Sequence, residues 1–364
     1  MTRVMRRAAG PAKALAVADQ PARDAALALA PADRALHDAV TGPLGADGSA
    51  QRRAMAKTIT MLESTRADHR QRADLLLNAL LARSGGAFRL GISGVPGVGK
   101  STFIEALGVL LISLGHRVAV LAVDPSSSLS GGSILGDKTR MERLAMDTRA
   151  YIRPSPASGT LGGVAEKTRE AMLVCEAAGY DVVIIETVGV GQSEIAVAGM
   201  TDMFVLLQLP NAGDDLQAIK KGVMEIADLV VINKADLDEA AATRARAQIS
   251  SSLRIIGSHD PAAHDAAVWH PQVMQLSALR GAGVPEFWAL VSQFRLLQTA
   301  NGRAAARRHG QDQAWLWALI DAGLKQRFKA HAAVRNALPA ITEAVARAQV
   351  APSVAARQLL DLFY

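Results

Sequence analysis

Residues 94–101 read Gly-Val-Pro-Gly-Val-Gly-Lys-Ser, the complete phosphate-binding pattern G-x-x-x-x-G-K-[ST], with an apolar run at 88–92 before it and a helical pattern after it. Glycines let the backbone curl so that its N–H groups point at phosphate oxygens at the positive end of a helix. We expect Lys100 to reach the β- and γ-phosphates and the Ser101 hydroxyl to bind Mg²⁺. The residues predicted to form this nucleoside triphosphate site are Gly94, Val95, Pro96, Gly97, Val98, Gly99, Lys100, Ser101 and Thr102.

A second motif predicts which base is bound. Residues 233–236 read Asn-Lys-Ala-Asp after an apolar run and match the N-K-x-D pattern of guanine-specific GTPases. The Asp236 carboxylate can accept hydrogen bonds from N1–H and N2–H₂ of guanine, whereas adenine would leave it buried and unpaired. We expect Asn233 to tie this loop to the phosphate loop and the Lys234 stem to cover the base. The residues that match the S-A-[KL] element, whose backbone contacts guanine O6, are Ser277, Ala278 and Leu279.

Three carboxylates between these motifs are candidates for the Mg²⁺ shell or for positioning the attacking water. Glu186 ends a continuous apolar run, as expected for a buried parallel strand, and Asp124 directly follows another. An acid at the carboxyl end of a strand beside a phosphate loop is where Mg²⁺ or its water is held. Asp137 is the third acid, and a role as a turn residue is the alternative for each. Lys100 and these acids form the predicted catalytic set, and Ser101 and the acids form the predicted metal set.

The segment after Glu186 has one feature with a kinetic consequence. The Gly189 N–H is expected to meet the γ-phosphate. In Ras-type GTPases a glutamine directly after this glycine orients the attacking water, but here that position is Val190, and Gln192 lies two residues further. The sequence therefore predicts slow intrinsic hydrolysis that a partner accelerates.

Composition limits the function classes. The 364 residues carry 40 Lys and Arg against 34 Asp and Glu, a net charge of +6, and only 4% aromatic residues. No basic stretch interleaved with aromatics suggests a nucleic-acid platform, so we expect no nucleic acid partner. The single cysteine, Cys175, falls in a predicted helix core, which indicates a reducing compartment and a cytoplasmic location. No apolar run reaches transmembrane length, so we expect no membrane insertion.

Alternating strands and helices between the ends of the chain predict an α/β fold, with a doubly wound, mostly parallel sheet flanked by helices. The predicted domains are a flexible, partly helical Ala- and Arg-rich tail, a helical extension from a breaker cluster to a Ser-Gly-Gly stop, the nucleotide-binding domain and a C-terminal helical arm. A mitochondrial transit peptide is the alternative for the tail. The respective bounds are 1–42, 43–86, 87–298 and 299–364.

Two apolar stripes mark the arm. Trp317, Ile320, Leu324 and Phe328 form one at helical spacing, and a second runs from Val334 to Val345. A long arm cannot bury both stripes alone, so they pack on the core or on a second copy, and we favour a homodimer. An irregular insert at 256–271 holds several histidines, for which a solvated loop is favoured over a metal site because no C-x-x-C element supports one.

Together these motifs resemble the MeaB/ArgK family of P-loop GTPases, which includes the methylmalonic aciduria type A protein. The resemblance begins near Gln51 and extends into the arm. The stretches that carry it read GISGVPGVGKST at 91–102, VDPSS at 123–127, GGSILGDKTRM at 131–141, RPSPASG at 153–159, ETVGVGQSE at 186–194 and NKAD at 233–236.

This resemblance implies a chaperone for an adenosylcobalamin-dependent acyl-CoA mutase, chiefly methylmalonyl-CoA mutase. GTP binding and hydrolysis, with Mg²⁺, would gate the delivery of the cobalamin cofactor and remove inactivated cobalamin. It also implies a mobile third switch at 210–221 and a homodimer built through the C-terminal helices. Two alternatives from other classes stay open: an ArgK-like protein kinase of amino-acid transport systems, and a nickel metallochaperone GTPase. The guanine motif argues against an ATP-dependent kinase, and the scarcity of cysteine argues against the nickel protein.

Overall fold

A parallel sheet carries the candidate site. The computed structural model describes residues 25–26, 28–45, 48–123, 141–154, 161–187, 193–210, 221–257 and 268–363. In these ranges the sheet has seven strands, all parallel to their neighbours, in the order β3-β2-β4-β1-β5-β6-β7. The predicted doubly wound α/β fold is therefore confirmed. The strands are β1 (Phe88–Gly94), β2 (Val118–Val123), β3 (Ala150–Arg153), β4 (Val182–Thr187), β5 (Met203–Gln208), β6 (Leu229–Ile232) and β7 (Gln272–Gln275).

Helices cover both faces of this sheet. The strand residues alternate between two buried apolar layers: Ile92 packs with Phe103 and Leu107 on one face, and Phe204 packs in the layer on the other. Cys175 is buried in the second layer, as expected from the sequence. The helices outside the C-terminal unit are α1 (Pro31–Thr41), α2 (Ser49–Leu62), α3 (Ala67–Leu80), α4 (Lys100–Ser113), α5 (Glu142–Met146), α6 (Leu161–Ala177), α7 (Ser193–Ala198), α8 (Lys221–Glu225), α9 (Glu239–Gly257) and α10 (Val284–Ala300). Of these, α1, α2 and α3 pack against α6.

The N-terminal helices are more ordered than the sequence indicates. Helix α1 lies within the residues assigned to the tail, yet Val40 is fully buried in the core. The Asp33 carboxylate, also buried, lies 2.7 Å from the Arg72 guanidinium of α3. Part of the tail is thus a helix anchored by the buried Val40 and by the ion pair of Asp33 with Arg72.

The helical extension also differs from the sequence prediction. The sequence predicts a helical extension over 43–86, and within it the structure has two separate helices, since α2 ends at Leu62 and α3 begins at Ala67. In the break, the Ser64 Oγ accepts a hydrogen bond from the Arg66 N–H at 3.3 Å, a local bond that competes with helix continuation.

The residue directly after α2 contacts the sheet. Glu63 pairs with Arg153 at the carboxyl end of β3, with Oε2 and Nη2 2.5 Å apart. Both side chains are mostly buried, and the pair links the N-terminal helices to the edge of the sheet that carries the candidate site.

The C-terminal part forms a separate compact unit, Ala305–Tyr364. It contains most of α11 (Arg303–Ala330) with α12 (Ala332–Ala346) and α13 (Pro352–Asp361). Val334 of the second stripe is fully buried, and the rings of Phe328 and Phe363 meet edge to face at 5.6 Å. The first stripe lies largely in solvent: Trp317 is 64% exposed, and Leu324 is 52% exposed.

Candidate guanine nucleotide site

The phosphate loop leads from β1 directly into helix α4, which begins at Lys100. The loop therefore presents its backbone at the N-terminus of a 14-residue helix, the ordinary place for an anion. Gly99 has a φ of +93°, and a Cβ there would lie only 2.8 Å from the Asn233 amide nitrogen. Both the left-handed backbone and this close approach require glycine.

Lys100 folds back over its own loop. Its Nζ donates a hydrogen bond to the Gly94 carbonyl at 2.8 Å and approaches the Val95 carbonyl at 3.4 Å. A phosphate oxygen is a charged acceptor and binds an ammonium more strongly than a carbonyl does. The same side chain can therefore turn from the loop to a nucleotide with little backbone movement.

Ser101 and Glu186 come together as candidate metal ligands. The Ser101 Oγ lies 3.5 Å from Glu186 Oε1, because β1 and β4 are neighbours with Ile92 opposite Glu186. Glu186 is buried at the carboxyl end of β4. A hydroxyl and a carboxylate are the hard oxygen donors that Mg²⁺ prefers, so these two residues fit the ion.

One buried amide joins three loops of the site. Asn233 is 1% exposed, its Nδ2 donates to the Val98 carbonyl at 2.8 Å, and its Oδ1 accepts from the Ala278 N–H at 3.0 Å. The tie to the phosphate loop expected from the sequence is present, and a link to the Ser-Ala-Leu element accompanies it. Lys234 adopts a φ of +59°, which places its stem close to Gly99.

Asp236 lies at the same edge of the sheet with a side chain that is 10% exposed. A hydrogen bond from Ser277, supported by the positive charge of Arg280, holds the pKa of its carboxyl below the usual range. Arg280 Nε is 3.4 Å from Asp236 Oδ2. The carboxylate is thus ionised at neutral pH, as an acceptor for two guanine N–H groups must be.

Leu279, the last residue of the Ser-Ala-Leu element, exposes 82% of its surface, so its backbone is the part suited to contact guanine O6. Arg280, directly after it, was missed by sequence reasoning. The signal was a basic residue next to an element that borders an acidic base-recognition residue.

Several predicted residues fall outside the described ranges. They are Asp124, Asp137, Gly189, Val190, Gln192, most of the third switch at 210–221, and the insert histidines except His270. Among the residues that the structure does describe, no group of three or more His, Cys, Asp or Glu side chains is placed to hold a metal ion. None of the helices in those ranges is both long and apolar enough to cross a membrane.

Comparison with known proteins gives consistent matches. The family model described as "Methylmalonyl Co-A mutase-associated GTPase MeaB" matches residues 55–333. A "Putative GTPase" of Caulobacter vibrioides is 54% identical over 312 residues, 86% of this chain and 94% of that protein. The mouse "Methylmalonic aciduria type A homolog, mitochondrial" is 48% identical over 324 residues, 86% of this chain and 77% of that protein. A crystal structure described as "LAO/AO transport system kinase" superposes with a TM-score of 0.68 at 35% identity, covering 94% of this chain and 97% of that one.

Proposed function

The chain belongs to the MeaB family of methylmalonyl-CoA mutase-associated GTPases, and from this premise we propose that it is a GTP-dependent chaperone of an adenosylcobalamin-dependent acyl-CoA mutase. The mutase we propose is methylmalonyl-CoA mutase, and the step controlled is the loading of cobalamin and the removal of its inactivated form. The observation that carries the proposal is the family match over residues 55–333, which spans the whole candidate site. The mouse relative, named after methylmalonic aciduria, supports it.

The chain is a GTP hydrolase with a P-loop GTPase fold. In the proposed mechanism, Lys100 leaves the Gly94 carbonyl and binds the β- and γ-phosphates. Ser101 and Glu186, with Asp124 and Asp137 as further candidates, hold Mg²⁺ or the attacking water. When bound, Mg²⁺ supplies positive charge that neutralises the phosphate oxygens as the bond to the γ-phosphate breaks. Asp236, Asn233 and the Ser277–Leu279 backbone orient guanine.

Hydrolysis is proposed to be slow without the mutase. A valine at position 190 cannot orient water, so the missing group must come from a rearranged switch or from the partner. The segments proposed to respond to the γ-phosphate are 188–192, which follows Glu186, and 210–221, which follows β5. Two adjacent acids and two adjacent lysines in the second segment can exchange partners between states.

We also propose that the protein is a homodimer formed through the C-terminal unit and acts in the cytoplasm. The exposed side of α11 supports the dimer, because Leu316, Trp317 and Leu324 are each more than half exposed along one helix. A second copy would bury them, since large apolar side chains in register mark an association surface. Trp317→Glu should yield monomers by light scattering. Glu343→Lys, an exposed change on α12, is the control that should leave the dimer intact.

The test of the proposed function is GTP turnover by the purified protein, alone and with a methylmalonyl-CoA mutase from the same source. We expect a slow basal rate that the mutase raises strongly, with ATP inert in both samples. Lys100→Ala protein plus mutase is the control for contaminating GTPases. Absence of stimulation, together with no complex by gel filtration in GDP or a non-hydrolysable GTP analogue, would refute the mutase assignment.

The structural relative described as a transport-system kinase makes protein phosphorylation the second candidate. A kinase would transfer the γ-phosphate to a protein, whereas a GTPase releases it as inorganic phosphate. Radiolabelled GTP distinguishes the two directly. Label on a periplasmic amino-acid-binding protein would favour the kinase, and label found wholly as free phosphate would exclude it.

A further inference from the structure

An arginine stands beside the carboxylate that is proposed to read the base. Arg280 Nε lies 3.4 Å from Asp236 Oδ2, and the positive charge helps to keep that carboxylate ionised. That oxygen is one of the two carboxylate acceptors that guanine needs. Arg280 and guanine therefore compete for one partner.

The competition is chemically close, because the recognition edge of guanine is itself a guanidine. Its N1–H and N2–H₂ groups sit on one carbon, C2, in one plane. Arginine presents Nε–H and Nη–H₂ on Cζ in the same planar arrangement, and this fork matches a carboxylate. Arg280 thus offers Asp236 the same donor pattern as guanine. Adenine does not offer this pattern.

The two partners of this ion pair differ in freedom. The Arg280 side chain is 68% exposed, whereas the Asp236 side chain is 10% exposed. The Arg280 backbone N–H also donates to Ser277 Oγ at 3.3 Å, which fixes the base of the arginine next to the carboxylate. The arginine can swing into solvent while its backbone stays in place, but the carboxylate stays at the site.

We propose that Arg280 is a built-in competitor of guanine. Its guanidinium binds the Asp236 carboxylate when the base leaves and releases it when the base enters. The carboxylate, little exposed, is then never left without a cationic or N–H partner during exchange. The competition weakens the binding of every guanine nucleotide and speeds its release. This property lies beyond the mutase role and does not depend on it.

The experiment measures the affinity and release rate of fluorescent mant-GDP for wild-type protein and Arg280→Ala. An ion pair whose cation lies largely in solvent is weak, so removing the competitor should tighten binding and slow release by about two- to fivefold. Salt screens the ion pair, and the difference should shrink at high ionic strength. Arg254→Ala is the control for the lost charge: Arg254 is exposed in α9, about 22 Å along the helix from its start, and its loss should not tighten binding.

A second pair of variants isolates the contact. In an Asp236→Asn background, with mant-XDP as the ligand, Arg280→Ala should change affinity less than in the wild-type background, because a neutral amide does not hold the guanidinium. Unchanged or weaker mant-GDP binding by Arg280→Ala would overturn the proposal, as would equal tightening in both backgrounds. Wild-type protein that fails to bind mant-GDP would instead reject the guanine site itself, and mutase stimulation plays no part in any arm.

Discussion

At the base end of the nucleotide site, both polar atoms of the buried Asn233 amide are hydrogen-bonded to other loops. At the phosphate end, Lys100 instead rests its ammonium on carbonyls of its own loop, and Ser101 approaches Glu186 only at 3.5 Å. At the base end the Asn233 amide is thus fixed by two hydrogen bonds, whereas at the phosphate end Lys100 and Ser101 make contacts that a nucleotide can replace.

The difference separates two tasks. Reading a base requires donors and acceptors that are already in place, because an unpaired buried group then rejects the wrong base. Responding to a γ-phosphate requires groups that change partners as it arrives and leaves. Asn233 connects the tasks, since it contacts the Val98 carbonyl of the phosphate loop.

The largest effect is expected at the phosphate end. Lys100→Ala removes the only side chain of the described loop that can bring a positive charge to the β- and γ-phosphates. GTP turnover with the mutase should fall by ~10²–10³-fold, the usual loss when a group that stabilises developing charge is removed. Phosphate release under saturating GTP measures it. Lys57→Ala, an exposed lysine on α2, should behave like wild-type protein, and a Lys100→Ala variant of normal activity would contradict the assignment.

At the base end, Asp236→Asn should change which nucleotide binds while leaving the fold intact. The amide cannot accept both guanine N–H groups, but it can accept from N1–H of xanthine and donate to its O2. GDP affinity should fall by about 10- to 100-fold, as for loss of one bidentate base contact, and XDP affinity should rise. Competition against a mant-labelled nucleotide measures both. If the variant and the wild-type protein bind GDP with equal affinity, Asp236 does not read the base.

The connection between the two ends is tested by Asn233→Ala. The change leaves the buried Val98 carbonyl and Ala278 N–H without their partner, which lowers the free energy of unfolding by about 1–3 kcal/mol. We also expect roughly tenfold weaker GDP binding, because the loops lose their fixed spacing. Thermal unfolding and mant-GDP titration measure the two effects.

Gln51→Ala is the matched control for this variant. Gln51 is another buried amide with hydrogen bonds to backbone carbonyls, at 2.8 Å to Val40 and 3.1 Å to Ala178, outside the candidate site. It should lose similar stability and keep GDP affinity. If Asn233→Ala and Gln51→Ala affect GDP affinity equally, Asn233 has only a structural role.

The sequence was sufficient for those parts of the site that lie in local motifs or at strand ends. The phosphate loop is a contiguous pattern, and parallel strands bring their carboxyl ends to one edge of the sheet, so Glu186 and Ser101 meet as expected. Asn233 was predictable for the same reason: it directly follows β6 at that edge.

Other features depend on tertiary packing that no local pattern encodes. The direction of the Arg280 side chain is set by the turn through Gly281, whose φ is +69°, and by the bridge between Ser277 and Ala282. Helix α1 has an Ala-rich sequence typical of a tail, and only the core it meets reveals its anchor. The stripe containing Trp317 predicts an amphipathic helix but does not identify the surface that covers it.

The smallest effect is expected for Ser277→Ala, which tests how strongly the Ser277 hydroxyl affects the pKa of Asp236 and the binding of guanine. The Ser277 hydrogen bond is the largest cause of the low pKa of Asp236, and the Arg280 charge adds to it. Guanine binding needs the ionised carboxylate, so binding is complete above the usual carboxyl pKa and is lost as pH falls through the depressed value. Without the hydroxyl the pKa of Asp236 rises, and the loss begins at a higher pH.

We expect about two- to fivefold weaker mant-GDP binding at neutral pH, because one hydrogen bond to a charged group is removed while Arg280 remains. The affinity measured from about pH 6 to about pH 3 should begin to fall at a higher pH than in wild-type protein. Ser252→Ala on α9, whose hydroxyl donates to the Gln248 carbonyl of its own helix at 3.1 Å, should reproduce the wild-type profile. If the pH profiles of Ser277→Ala and wild-type protein superimpose, Ser277 does not contribute to the base end and its rigidity comes from Asn233 alone. The contrast between the base end and the phosphate end would then rest on that single amide.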